Sequence, residues 1–376
     1  MKQIQMVDLG SQYEAIKTEV DQAIQNVINT SAFINGPEVK ELQVELEKYL
    51  NVKHVIPCAN GTDAIQIALM ALGLKPGDEV ITSDFTFAAT VEVVGLLNLV
   101  PIIVDVEPDT FNISVEAIKK AITPKTKAII PVHLFGQCAD MEAILKLAKA
   151  HNIFVVEDTA QAIGAKYTFS DGKVAAAGTM GEIGTTSFFP SKNLGCYGDG
   201  GAIYTNNDEL ATIMRSVVNH GMGERYYYER IGVNSRLDSI QAAILRIKLR
   251  NLDNYAAARN KAASYYDNFF KEFANVTTPV RSKNSTHVFH QYTLVIENLN
   301  QFEMQNYLQL KGVPAMIYYP VPIHTQNAYG PERFNHDDFP VTNKLCKTVI
   351  SLPMHTELSE EQLLFICEAV KSYLTK

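Results

Sequence analysis

The chain has 376 residues, 47% of them hydrophobic, and carries a formal net charge of −8 with a pI near 5.6. That composition describes a globular chain, and the length suggests roughly two domains. Excess negative charge argues against nucleic acid or an anionic membrane as the main partner, since both select basic surfaces. A small anionic substrate held by a few placed arginines remains compatible with it. The five cysteines (Cys58, Cys138, Cys196, Cys346, Cys367) are odd in number and lack C-x-x-C spacing. They suggest neither a disulfide framework nor a zinc site, and they fit a reducing cytoplasm. Nine scattered histidines, without H-x-H or H-E-x-x-H, give no metal expectation. Met1 to Gln5 lack the apolar core of a signal peptide, and no run approaches the ~20 apolar residues of a membrane span.

In chain order, Ser11 to Asn29 has apolar residues at helical spacing, and a second helix is predicted from Pro37 to Leu50. Strand and helix signals then alternate. Strands are predicted at 54–58, 79–82, 102–105, 128–132 and 153–156, with helices at 61–72, 87–97, 115–121 and 141–151. Short apolar strands alternating with helices imply βαβ units and a mostly parallel sheet buried on both faces. Such sheets bind ligands at the carboxyl ends of their strands. From Lys166 to Ser187 the pattern changes to short strands and loops, with a turn at Asp171-Gly172. One long helical stretch is predicted over 239–273. Strands are expected at 290–296 and 315–319, and a last helix at 359–373. The expected organisation is a large domain over 1–250 and a smaller α+β domain over 251–376.

Two features carry chemistry together. Ile153-Phe154-Val155-Val156 ends in Glu157-Asp158, with Gln161 three residues beyond Asp158, and Lys192 lies in the Ser/Gly-rich run Ser187-Phe188-Phe189-Pro190-Ser191-Lys192-Asn193-Leu194-Gly195. A strand-end carboxylate followed by a lone lysine in such a loop suits a pyridoxal 5'-phosphate enzyme. The acid would keep the pyridine nitrogen protonated, and the lysine would hold the aldehyde. Singly, each has a bland reading as a helix cap or a solvated lysine. Asn60-Gly61-Thr62-Asp63 opens a helix after a strand and offers backbone N–H groups to a phosphate, or is an ordinary cap. Ser187 is a second phosphate candidate. Phe87 and Phe85 compete as the aromatic on the ring, with core packing the alternative for each. Glycines 195, 198, 200 and 201 would let backbone approach the lysine loop closely. Asn234 and Arg236 precede a helix start and are anion-contact candidates. Tyr226-Tyr227-Tyr228 reads as a lid or a subunit contact, unranked.

These motifs, with Phe33-Ile34-Asn35-Gly36-Pro37, Asn234-Ser235-Arg236-Leu237-Asp238 and Tyr319-Pro320-Val321-Pro322-Ile323-His324, resemble in order and over nearly the whole length the DegT/DnrJ/EryC1/StrS family of nucleotide-sugar aminotransferases. The resemblance implies the aspartate aminotransferase fold (fold type I) and pyridoxal phosphate as cofactor. It implies Lys192 as the Schiff-base lysine and base, Asp158 on the pyridine nitrogen, and Gln161 by the ring hydroxyl. Gly61, Thr62 and Ser187 would hold the phosphate, and Phe87 would stack on the ring. Asn234 would reach the cofactor phosphate of a partner subunit, so a homodimer with shared sites is expected. Phe189-Pro190 before the lysine resembles the enzymes that aminate carbon 3, where carbon-4 enzymes carry His-Pro. The expected reaction takes the amino group of glutamate to UDP-2-acetamido-2-deoxy-3-oxo-glucuronate for surface polysaccharide, with Arg236, Tyr318 and Tyr319 at the sugar. Alternatives are a dTDP-3-oxo-6-deoxyhexose substrate, a sugar dehydratase (which Lys192 opposes), or a non-enzymatic regulator that binds the cofactor. One departure is Tyr318-Tyr319-Pro320 where the glucuronate enzymes carry His-Tyr-Pro. Another is a longer loop over 167–185.

Overall fold

A computed structural model describes residues 2–375. The chain runs α1 (Leu9–Thr30), α2 (Pro37–Leu50), β1 (His54–Cys58), α3 (Gly61–Ala71), β2 (Glu79–Ser83), α4 (Ala89–Leu96), β3 (Val100–Val104), α5 (Val115–Ala121), β4 (Thr126–Ile130), α6 (Met141–His151) and β5 (Phe154–Asp158). It continues through β6 (Lys166–Thr168), β7 (Val174–Ala176), β8 (Ile183–Ser187), β9 (Gly201–Thr205), α7 (Asp208–Val217), α8 (Ser239–Leu249) and α9 (Leu252–Phe270). The last part is β10 (Val276–Thr277), β11 (Tyr292–Ile296), α10 (Gln301–Leu310), α11 (Pro340–Thr348), β12 (Val349–Leu352) and α12 (Glu360–Leu374). Side chains set several helix starts. Asp8 accepts a hydrogen bond from Ser11 N–H at 2.9 Å, Pro37 opens α2, and Ser359 with Gln362 forms a capping box.

Seven strands form the main sheet in the order β1-β9-β8-β5-β4-β2-β3. The run from β8 to β3 is parallel, and β9 lies antiparallel to both neighbours. Helices cover both faces, as buried parallel strands require. The apolar residues of α3, α4 and α7 pack with the strands in one cluster, those of α2 and α8 in a second, and those of α5 and α6 in a third. A separate cluster joins α9, β11, α10, β12 and α12 with Ile4 from the chain start. There β10, β11 and β12 make a small antiparallel sheet.

Three expectations are corrected. The helix predicted over 239–273 is two helices, broken at Asn251, whose ψ of 1° leaves the helical region. The strand predicted at 315–319 reduces to one bridge between Met316 and Ser351. The predicted helix from Phe87 begins at Ala89, which leaves Thr86 and Phe87 in a loop beyond the carboxyl end of β2. The changed pattern over 167–185 holds a hairpin of β6 and β7, turned at Gly172 with φ of +86°. No helix of the described residues is long and apolar enough to cross a membrane.

Candidate active site

Chain order separates Gly61, Asp158 and Lys192 by more than 130 residues, and the parallel sheet brings them together. Strands β2, β4, β5 and β8 end beside one another, and the start of α3 faces them. These ends enclose a cavity of about 360 Å3. Gly61, Thr62, Phe87, Asp158, Gln161, Ser187, Lys192, Tyr318 and Tyr319 all line it. It lies at the carboxyl ends of the strands, where an α/β sheet leaves backbone groups and loops free to meet a ligand.

Asp158 is 5% exposed. One carboxylate oxygen accepts from the Thr90 hydroxyl at 2.9 Å and the other from Ala160 N–H at 3.0 Å. Both bonds fix the direction of the carboxylate. Lys192 is half-buried, and removal of its amine from water pulls its pKa down to about 8 against the opposing pull of Asp158. An amine so poised is neutral often enough near neutral pH to act as nucleophile or base. Gln161 is held at both ends. Its oxygen accepts from Phe135 N–H at 2.7 Å, and its amide donates to the Tyr319 hydroxyl at 3.0 Å. Gln161 thus orients Tyr319, and burial raises the phenol's pKa well above its usual value. The Tyr318–Tyr319 peptide is cis.

The start of α3 lies directly against β8. A Cβ on Gly61 would stand 2.7 Å from the Ser187 Cβ, so only glycine admits this approach. Asn60 caps the helix by accepting from Asp63 N–H at 2.7 Å, and the helix start at Asn60, Gly61 and Thr62 lines the cavity. Glycines after the lysine serve the same closeness: a Cβ on Gly201 would come within 2.4 Å of the Asn60 carbonyl oxygen. The two phenylalanines separate by packing. Phe85 is 1% exposed and joins a ring cluster with Phe111, Phe135 and Tyr319, whereas Phe87 is 60% exposed on the cavity wall.

Asn234 and Arg236 do not line the cavity of their own chain. Between them the Ser235 hydroxyl is buried and accepts from Ala59 N–H at 3.0 Å. Side chains alternate along this extended stretch, so its neighbours point away from the anchor, and Asn234 is exposed. Tyr226, Tyr227, Tyr228 and Ile231 are exposed as well. Sequence reasoning missed Thr90, Thr86, His290, Gln291 and Asp199, which all take part in or line the site. For Thr90 a signal existed, since it lies in the first turn of the helix that follows a strand end. His290 and Gln291 read only as the start of a strand.

The profile of the DegT/DnrJ/EryC1/StrS aminotransferase family matches residues 14–371. The chain belongs to this family. A UDP-2-acetamido-2-deoxy-3-oxo-D-glucuronate aminotransferase of Pseudomonas aeruginosa is 46% identical over 367 residues, covering 98% of this chain and 99% of the relative. A pleiotropic regulatory protein of Geobacillus stearothermophilus is 45% identical over 372 residues, with 98% of each covered. Among solved structures, a family aminotransferase from Brucella abortus superposes with a TM-score of 0.92 at 42% identity, covering 99% of this chain and 100% of the other. This family aminotransferase is therefore an enzyme of nucleotide-sugar amination with the large, mostly parallel sheet expected of its class.

Proposed function

We propose that the chain moves the amino group of glutamate to carbon 3 of a 3-oxo nucleotide sugar, with UDP-2-acetamido-2-deoxy-3-oxo-glucuronate as the leading substrate. The observation that carries the reading is the convergence of Lys192, Asp158, Gln161 and the Gly61–Ser187 cradle on one cavity. The residues fit pyridoxal phosphate on structural grounds. The cradle excludes any side chain at Gly61, a hydrogen-bonded carboxylate lies at one strand end, and the one lysine lining the cavity is depressed toward neutrality. Bound there, pyridoxal phosphate supplies a carbonyl that carries the amino group and a ring that withdraws electrons from the reacting carbon.

Each residue's work follows from its surroundings. Asp158, its carboxylate fixed by Thr90 and Ala160, would pair with the pyridine nitrogen. The N–H groups opening α3, the Thr62 hydroxyl and Ser187 hold the phosphate. Phe87, exposed on the cavity wall, would cover one face of the ring. Lys192 takes a proton from the carbon of one partner and returns it to the other. Tyr318 and Tyr319 meet the sugar. Asn234, exposed and directed away from its own cavity, serves the phosphate of a partner subunit in a homodimer, and Arg236 on the same face serves that subunit's sugar. A guanidinium there grips a carboxylate with two parallel hydrogen bonds, which suits a uronic acid. The two domains divide near 250, at the break between α8 and α9.

The test loads the enzyme with aminated cofactor and follows its absorbance against 3-oxo and 4-oxo nucleotide sugars, with Lys192→Ala as control. Rapid conversion by the UDP-3-oxo-uronate, lost in the control, is the expected result. Conversion by dTDP-3-oxo-6-deoxy sugars alone reassigns the substrate, and no conversion by any sugar favours a regulator.

A further inference from the structure

Two buried side chains on the cavity wall have polar atoms without a hydrogen-bond partner among the described residues: the Thr86 hydroxyl and both ring nitrogens of His290. His290 is 6% exposed. A buried imidazole with neither nitrogen satisfied is destabilising, and buried polar groups are nearly always paired. The ring cannot be relieved by a shift of its backbone, which is clamped on all sides. Val288 N–H donates to the Gly136 carbonyl at 2.9 Å and His290 N–H to that of Phe135 at 2.8 Å. The Arg259 guanidinium donates to the Phe289 carbonyl at 3.0 Å. The Asn193 amide, next in chain to Lys192, donates to the Val288 carbonyl at 2.9 Å. The lysine loop and the histidine segment are thus tied to each other.

The charged groups acting on the ring are Lys192 from the loop after β8 and Arg259 from α9. Burial first, then these two cations, hold the imidazole far below its usual pKa, so it stays neutral. A neutral imidazole keeps one nitrogen lone pair free to accept a hydrogen bond. Asp158, the carboxylate whose charge acts on the lysine, already accepts from Thr90 and Ala160.

We propose that His290 is a positioning residue for Lys192, its neutral imidazole accepting a hydrogen bond from the lysine ammonium whenever the lysine carries the transferred proton. This rests on the reading of Lys192 as the acting base. The proton stays on Lys192 until it is returned to a substrate carbon, and His290 does not ionise. Its acceptor nitrogen fixes one of three rotatable N–H bonds, so the proton due for transfer points at the substrate. A hydrogen bond to the ammonium favours the charged form, so its removal lowers the lysine's pKa.

The test compares His290→Phe and His290→Gln in the cofactor-loaded enzyme. In single turnovers from the aminated form, where Lys192 is free, the acid limb of the rate against pH should move down by about one unit in His290→Phe. His290→Gln keeps an acceptor oxygen and should restore most of the limb. Without cofactor, His290→Phe should unfold at the wild-type temperature or above it, because an orphaned polar group has been replaced by an apolar ring. An unshifted limb with Lys192 active overturns the proposal. So does a large fall in unfolding temperature in both variants, which would make His290 structural. Turnover surviving Lys192→Ala overturns the underlying functional reading instead.

Discussion

Glu157, the residue before Asp158, is fully buried, and its carboxylate accepts four hydrogen bonds. They come from His133 Nε2 at 2.9 Å, Gly178 N–H at 2.9 Å, Met180 N–H at 2.6 Å and Gly181 N–H at 2.7 Å. His133 cannot turn its proton elsewhere, because its Nδ1 accepts from Ala139 N–H at 3.2 Å. Glu157→Gln keeps shape and volume but replaces one acceptor oxygen with an NH2. If the amide oxygen keeps Met180 and Gly181, the NH2 faces two donors, Gly178 N–H and His133 Nε2–H. Each donor left buried and unpaired costs about 1–3 kcal/mol, so a loss of about 2–6 kcal/mol is expected for the two. Urea unfolding at pH 7, with an unchanged slope and a lower midpoint, measures it. The same change loosens the end of β5, so affinity for pyridoxal phosphate should fall with stability. A loss below about 1 kcal/mol would refute the reasoning, since it would mean the loop over 178–181 finds other acceptors without strain.

Acid should weaken the fold through its histidines. Burial first, and nearby cations next, hold His287 down to about 3 and His355 to about 4, with His290 lower than its usual value for the same reason. Below the unfolded value of 6.5 the unfolded chain binds protons that the native chain refuses, so stability falls as pH falls from 6.5 toward 4. Three such groups give a slope of up to about 4 kcal/mol per pH unit. An unfolding free energy flat between pH 6.5 and 5 would contradict this. Gly61→Ala should push α3 away from Ser187 and weaken pyridoxal phosphate binding at least tenfold, read by equilibrium dialysis. Wild-type affinity would show that the phosphate is held elsewhere.

Much of the scaffold was legible because buried parallel strands are short apolar runs, and periodicity reads such runs well. The strand at 54–58 and the helix over 115–121 fall where the pattern places them, and the strands expected at 79–82 and 153–156 are found at 79–83 and 154–158. Asp158 and the Asn60-Gly61-Thr62 turn sit at a strand end and a helix start that local sequence marks, whereas Lys192 lies in the loop after β8, marked only by its Ser/Gly-rich surroundings. Pairing was not legible. Strand β9 inserts antiparallel between β1 and β8, and no local pattern states which neighbour a strand will take. The apolar run at 315–319 has the composition of a strand, yet it meets the free edge of β12 only through the bridge between Met316 and Ser351, and no local pattern announces how far a pairing extends. Phe85 and Phe87 are alike in sequence, and only the ring cluster around Phe85 assigns one to the core and the other to the cavity. His290 shows the limit most plainly. Its sequence context says only that a strand begins, whereas an unpaired imidazole beside Lys192 is a property of what surrounds it. Local composition fixes which segments bury and which turn. Hydrogen-bond satisfaction and the neighbours of a charge depend on segments far apart in the chain, and only the packed structure decides them.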